Sequence, residues 1–193
     1  MRKLLLIIIA LVIALVLVSL FVFLVILNPP GTQMQLNDPS GDVLLSFGSS
    51  YPNAVDIKGA SFERTGNTGN CSVLVKEAVS TLNEGETVTW EITLIFEDSA
   101  DEVVGAHTLQ IVLNSTGYSG SITNVENGQT TDCTVNRNGN LISAIADFTD
   151  LQNSDKVEWS ITATYEAEQD GDLVANAFDF VPDEGTYITN FST

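Results

Sequence analysis

The chain reads as a mainly β protein, an antiparallel β-sandwich preceded by one N-terminal transmembrane α-helix. Three observations predict this. Residues 4–27 form an apolar run whose only polar member is Ser19. After residue 28, short segments of alternating apolar and polar residues follow one another with turn residues between them, and no amphipathic helical pattern appears. One ten-residue alternating segment recurs at a constant offset of 69 residues.

The apolar run comes first. As a helix it rises roughly 36 Å, enough to cross a hydrocarbon core of about 30 Å with modest tilt. Arg2 and Lys3 precede it and favour a cytoplasmic N-terminus, which places residues 28–193 outside the cell. A cleavable signal peptide has a shorter apolar region and a small-residue cleavage site, whereas this run ends Val25-Ile26-Leu27-Asn28-Pro29-Pro30. No cysteine stands at the boundary to carry a lipid. Pilin leaders carry a small residue after the basic stretch and a polar residue just inside the apolar run, and both are missing here. A buried core helix would keep a polar stripe. The segment reads as an uncleaved signal anchor over residues 1–27.

Residues 28–42 follow as a stalk, with Pro29, Pro30 and Pro39 stiffening it and Gly31 and Gly41 loosening it. Residues 43–193 are the expected acidic β-sandwich domain. Beyond the anchor the basic residues are Lys58, Arg64, Lys76, Arg137 and Lys156, against all 25 acids, a formal charge of −20. Such a surface excludes nucleic acid as a partner, because phosphate backbones require a basic footprint. It keeps a protein dispersed in salt, and it also offers oxygen ligands to divalent cations.

The repeat orders the domain. Val88-Thr-Trp-Glu-Ile-Thr-Leu-Ile-Phe-Glu97 aligns with Val157-Glu-Trp-Ser-Ile-Thr-Ala-Thr-Tyr-Glu166, with five of ten positions identical. Val88, Trp90, Ile92, Leu94 and Phe96 share one face, as do Val157, Trp159, Ile161, Ala163 and Tyr165. The other face is polar, which is the pattern of an antiparallel sheet with one wet side. Both tryptophans are therefore expected to be buried. Each repeat strand is followed by an acidic loop and a further strand, 104–114 and 173–181. Residues 43–47 read as a first strand and Asn136–Asn140 as a hairpin turn. Cys71–Val75 and Cys133–Val135 read as related strands at an offset of 62. The two halves are expected to merge into one sandwich, since about 60 residues each is little for two independent ones.

The stretch Leu82-x-x-Gly85-Glu86-x-Val88-x-Trp90 resembles the strand–turn–strand signature of immunoglobulin-like modules in prokaryotic surface proteins, including the cell-adhesion-related CARDB type. The order Cys71, Trp90, Cys133 is similar to that of an antibody-type domain, although Thr131 stands where that family has a tyrosine. The resemblance implies an Ig-like sandwich and a spacer, adhesion or recognition role.

The chemistry-bearing residues are few. Cys71 and Cys133, an even count in an oxidising compartment, are expected to form one disulfide, worth roughly 4 kcal/mol in the chain-entropy model. The repeat argues the other way, since equivalent positions in separate domains would lie far apart. His107, the single histidine, shares the face of Leu109, Ile111 and Leu113 and reads as a strand-end residue satisfied by a local hydrogen bond rather than a catalytic base. No phosphate-binding loop or dinucleotide fingerprint occurs, so an enzyme is not expected, nor is a cofactor. Asp98, Asp101 and Glu102 in one acidic loop, and Glu168, Asp170 and Asp172 in the other, are the calcium candidates. Asn70, Asn114 and Asn190 begin N-glycosylation sequons.

The expected function is that of a membrane-anchored, extracellular, non-enzymatic surface protein with a structural, adhesion or ligand-presenting role. Its expected partners are the lipid bilayer, through residues 4–27, and a surface protein or glycan. The rival readings are a pilin-like filament subunit and an accessory or solute-binding domain with loosely bound calcium.

Overall fold

The alternation read from the sequence becomes two antiparallel sheets sharing one apolar interior. The structure, a computed structural model, describes residues 35–39, 41–183 and 185–191. The expected anchor and the stalk up to residue 34 lie outside the described residues. No helix among the described residues is long and apolar enough to cross a membrane.

In chain order the strands are β1 (Leu36–Asn37), β2 (Leu44–Phe47), β3 (Ile57–Thr65), β4 (Thr68–Val75), β5 (Glu86–Glu97), β6 (Val103–Asn114) and β7 (Gly117–Asn124). They continue with β8 (Thr130–Asp132), β9 (Thr134–Asn138), β10 (Leu141–Asp147), β11 (Lys156–Gln169), β12 (Asp172–Val181) and β13 (Tyr187–Asn190). One sheet has the spatial order β1-β3-β4-β10-β9. The other runs β2-β12-β11-β5-β6-β7-β8, with β13 pairing β11. Alternation decides which side chains fill the space between them. Trp90 and Trp159 are buried as their register requires, with Ile92, Leu94, Phe96 and Ile161, and Thr89 and Glu91 face away.

The two repeat strands are neighbours. In the β5–β11 ladder Ile92 faces Ile161, Trp90 faces Ala163, and Leu94 faces Trp159. Ala163 is the repeat counterpart of Leu94, so a half-turn about the Ile92–Ile161 pair maps this ladder onto itself. The half-turn extends outward. β6 flanks β5 as β12 flanks β11, and β7 pairs with β6 as β2 pairs with β12. In the smaller sheet β4 and β10 occupy the centre, with β3 and β9 outside them. The halves β2–β6 and β7–β12 are thus interleaved in one merged sandwich, each sheet taking strands from both.

This arrangement corrects two expectations. The positional counterpart of β4 is β10, not the segment at Cys133. Cys71 lies on the inner face of β4 opposite Ala144 of β10, while Cys133 stands just before β9, one strand further out. Two strand spacings are about 10 Å, beyond the roughly 7 Å between Cα atoms that a disulfide spans. The Cys71–Cys133 bridge is accordingly not formed, and both are free thiols. The second correction concerns the stalk. Leu36 and Asn37 pair with Ala60 and Gly59 of β3, so the fold takes up the chain before residue 43.

Candidate functional site

The connector between β1 and β2 passes from the small sheet to the large one and closes one lateral edge of the sandwich. It carries two carboxylates, Asp38 and Asp42, to a third on β12. One oxygen each from Asp38, Asp42 and Asp179 lies within 4.8 Å of the other two.

Asp179 reaches this place because β12 turns Ala175, Ala177, Asp179 and Val181 inward, and it is 2% exposed. An inward carboxylate is costly unless hydrogen-bonded. Here Oδ2 accepts from the Ile57 backbone N–H at 2.6 Å and Oδ1 from the Phe180 N–H at 3.0 Å. The first of these bonds ties the large sheet to the start of β3. Asp56, one residue earlier, is fully buried, and its Oδ2 accepts from Lys76 Nζ at 3.1 Å. Asp38 Oδ2, Asp42 Oδ1 and Asp56 Oδ1 are sealed from solvent and have no hydrogen-bond partner.

The electrostatics reflect this crowding. Burial, and then the charges of Asp179, Asp42, Asp183 and Asp56, push the Asp38 carboxyl up to about 7. Burial raises Asp179 to about 6, with Asp42 and Asp56 adding to the effect and the Ile57 and Phe180 N–H groups opposing it. Lys76 is the cation paired within the group, and its ammonium is largely committed to Asp56. A set of carboxylate oxygens without nitrogen or sulfur donors is the chemistry that hard divalent cations take.

The acidic loops named from the sequence are built differently. In the β5–β6 loop Asp98 Oδ1 accepts from the Ala100 and Glu102 N–H groups at 2.8 and 3.0 Å, and Asp101 pairs with Lys156. Lys156 also holds Glu97 at 2.9 Å. Between β11 and β12 the connection is only Asp170-Gly171, both at positive φ, with Glu168 and Asp172 in the strands on either side. Asp98, Asp101, Glu102, Asp170 and Asp172 are therefore not gathered into a carboxylate cluster among the described residues.

Against the expectation of a strand end and a local hydrogen bond, His107 lies mid-strand in β6, buried against Phe96 and Phe148. Its Nε2 is 2.6 Å from Oδ2 of Asp150, 43 residues further along the chain. Asp150 belongs to the 3-10 turn Thr149–Asn153 that links the two sheets, so the pair secures that crossing. Among the sequon residues, Asn70 is half-buried in β4. Asn114 accepts from Thr116 in a turn, and Asn190 is exposed on β13. No protein-family model matches the chain, and neither does any curated protein or solved structure.

Proposed function

We propose that the chain is a membrane-anchored, non-enzymatic surface protein, held in the bilayer by residues 4–27 with its acidic sandwich displayed outside the cell. The observation that carries this reading is adjacency. The apolar run ends at Leu27 and the first paired strand begins at Leu36. The residues between them span at most about 30 Å when fully extended, so an inserted anchor keeps the sandwich at the bilayer surface. A formal charge of −20 outside the anchor repels anionic headgroups and holds the domain in the aqueous phase. Kinship to Ig-like surface modules belongs to the same reading and assigns the sandwich a spacing, adhesion or presenting role rather than chemistry.

Protease shaving of intact cells, with fractionation and mass analysis of the N-terminus, tests it. The expected result is a membrane-bound chain that retains residues 4–27 and loses its sandwich to external protease. Soluble protein beginning near Asn28 overturns the anchor, and loss of a short leader with assembly into filaments supports the pilin-like rival.

A further inference from the structure

We propose that Asp38, Asp42 and Asp179, backed by Asp56, form a calcium site that fastens the β1–β2 connector to β12. Two oxygens ligating one calcium ion lie no farther apart than twice the ligand distance, about 4.6–5.2 Å. The three carboxylates meet that limit. Asp38 and Asp42 share the β1–β2 connector and Asp179 stands on β12, so the fold brings the third carboxylate to the other two.

The second observation is Asp56. It is fully buried, Lys76 takes one of its oxygens, the other has no partner, and its charge acts on both Asp38 and Asp179. A buried carboxylate oxygen left unpaired carries a full desolvation penalty. The same holds for the sealed oxygens of Asp38 and Asp42. One ammonium cannot balance four carboxylates. A divalent cation supplies the missing charge and partners for the orphaned oxygens in a single step.

Calcium is the ion of choice because it accepts irregular sets of six to eight oxygens, including water, whereas magnesium demands near-ideal octahedral geometry and retains its waters. The group contains no histidine or cysteine that would favour zinc or copper. The site stands independently of the membrane reading, because its donors all belong to the sandwich edge.

The test uses the full chain in detergent micelles, stripped with chelator and then titrated with calcium chloride. Melting temperature and calorimetric stoichiometry are the readouts. About one equivalent should bind and raise the melting temperature by roughly 5 °C or more at millimolar calcium. Asp38→Asn and Asp42→Asn should each lose most of that rise. In chelator, however, both should melt at or above the parent temperature, because each removes a crowded charge whose sealed oxygen has no hydrogen bond to lose. The pairing of opposite signs separates a cation site from a structural role. The proposal is overturned by no response to calcium, by a response that both variants retain (counterion screening), by variants that melt lower in chelator, or by binding of magnesium chloride in preference to calcium.

Discussion

Trp90 and Trp159 are repeat counterparts with different polar surroundings. Trp159 Nε1 donates to Thr189 Oγ1 at 3.0 Å, whereas the buried Trp90 Nε1 has no partner and its ring stacks on Tyr118. Truncation to alanine should cost about 3–5 kcal/mol at either position. Replacement by phenylalanine should separate them, with Trp159→Phe costing about 1 kcal/mol more than Trp90→Phe because only it breaks a hydrogen bond. Urea denaturation of the two variants checks the difference. Tyr165, from the same repeat, makes a pH prediction. Burial, and then its hydrogen bond to Glu86, raises the phenol from the ordinary 10 to about 12. Across that window the unfolded chain gives up a proton that the folded chain keeps, so this contribution is full below pH 10 and is lost as the pH rises through 12. The stability advantage of the parent over Tyr165→Phe should therefore shrink over that interval, as denaturation at stepped pH would show. The tryptophans were legible because alternation fixes burial. Asp179 was not singled out, although it stands in an apolar phase between Ala177 and Val181, and only the Ile57 N–H and the connector explain why it is there. Asp38 and Asp42 were hidden in a segment whose prolines and glycine read as stalk.

At the scale of elements, strands with clean alternation were the readable ones: β12, β11, β5 and β6, four consecutive strands of the large sheet. β3 and β7 were not foreseen. β7 is Gly-Tyr-Ser-Gly-Ser-Ile-Thr-Asn, with a single buried apolar residue, Ile122, and its place comes from pairing with β6 rather than from its own pattern. The 3-10 turn was equally silent, because its role depends on Asp150 meeting His107 from another part of the chain. Asp150→Ala should leave a buried ring nitrogen without its partner and lower stability by about 1–3 kcal/mol, measurable by chemical denaturation. The misplaced disulfide has an elemental cause as well. Matching Cys71 to Cys133 by residue type paired an inner strand with the approach to an outer one. Burial pushes both thiols above their ordinary range, Cys71 the more deeply. A thiol-alkylating reagent should therefore label the half-buried Cys133 slowly in the folded protein and Cys71 only on unfolding, read by mass spectrometry. Recovery of a chain lacking two free thiols after non-reducing purification would contradict this.

For the whole molecule, the interleaving of the halves decides how it can fold. A repeat at constant offset is compatible with two beads on a string or with one merged body, and sequence alone favoured the second only through chain length. The ladders settle it. The β5–β11 ladder runs from Glu86 to Glu97 against Ala167 to Lys156, and the β4–β10 ladder from Thr68 to Leu74 against Asp147 to Leu141. Both lie at the centre of their sheets and both join opposite halves. Separating the halves would expose two central edges and the indoles of Trp90 and Trp159, which are covered from both sides. Exposed, flat, apolar strand edges pair with whatever is available. Cleavage of the chain between Asn114 and Gly117, at the turn joining β6 to β7, should therefore give two fragments that neither unfold cooperatively nor remain soluble alone. Mixed during refolding, they should recover a single cooperative transition, because every cross-half ladder can still form. Circular dichroism melts of each fragment and of the equimolar mixture decide it, and a cooperative transition in either isolated fragment would show that the half-turn relates two independent domains instead of two parts of one core.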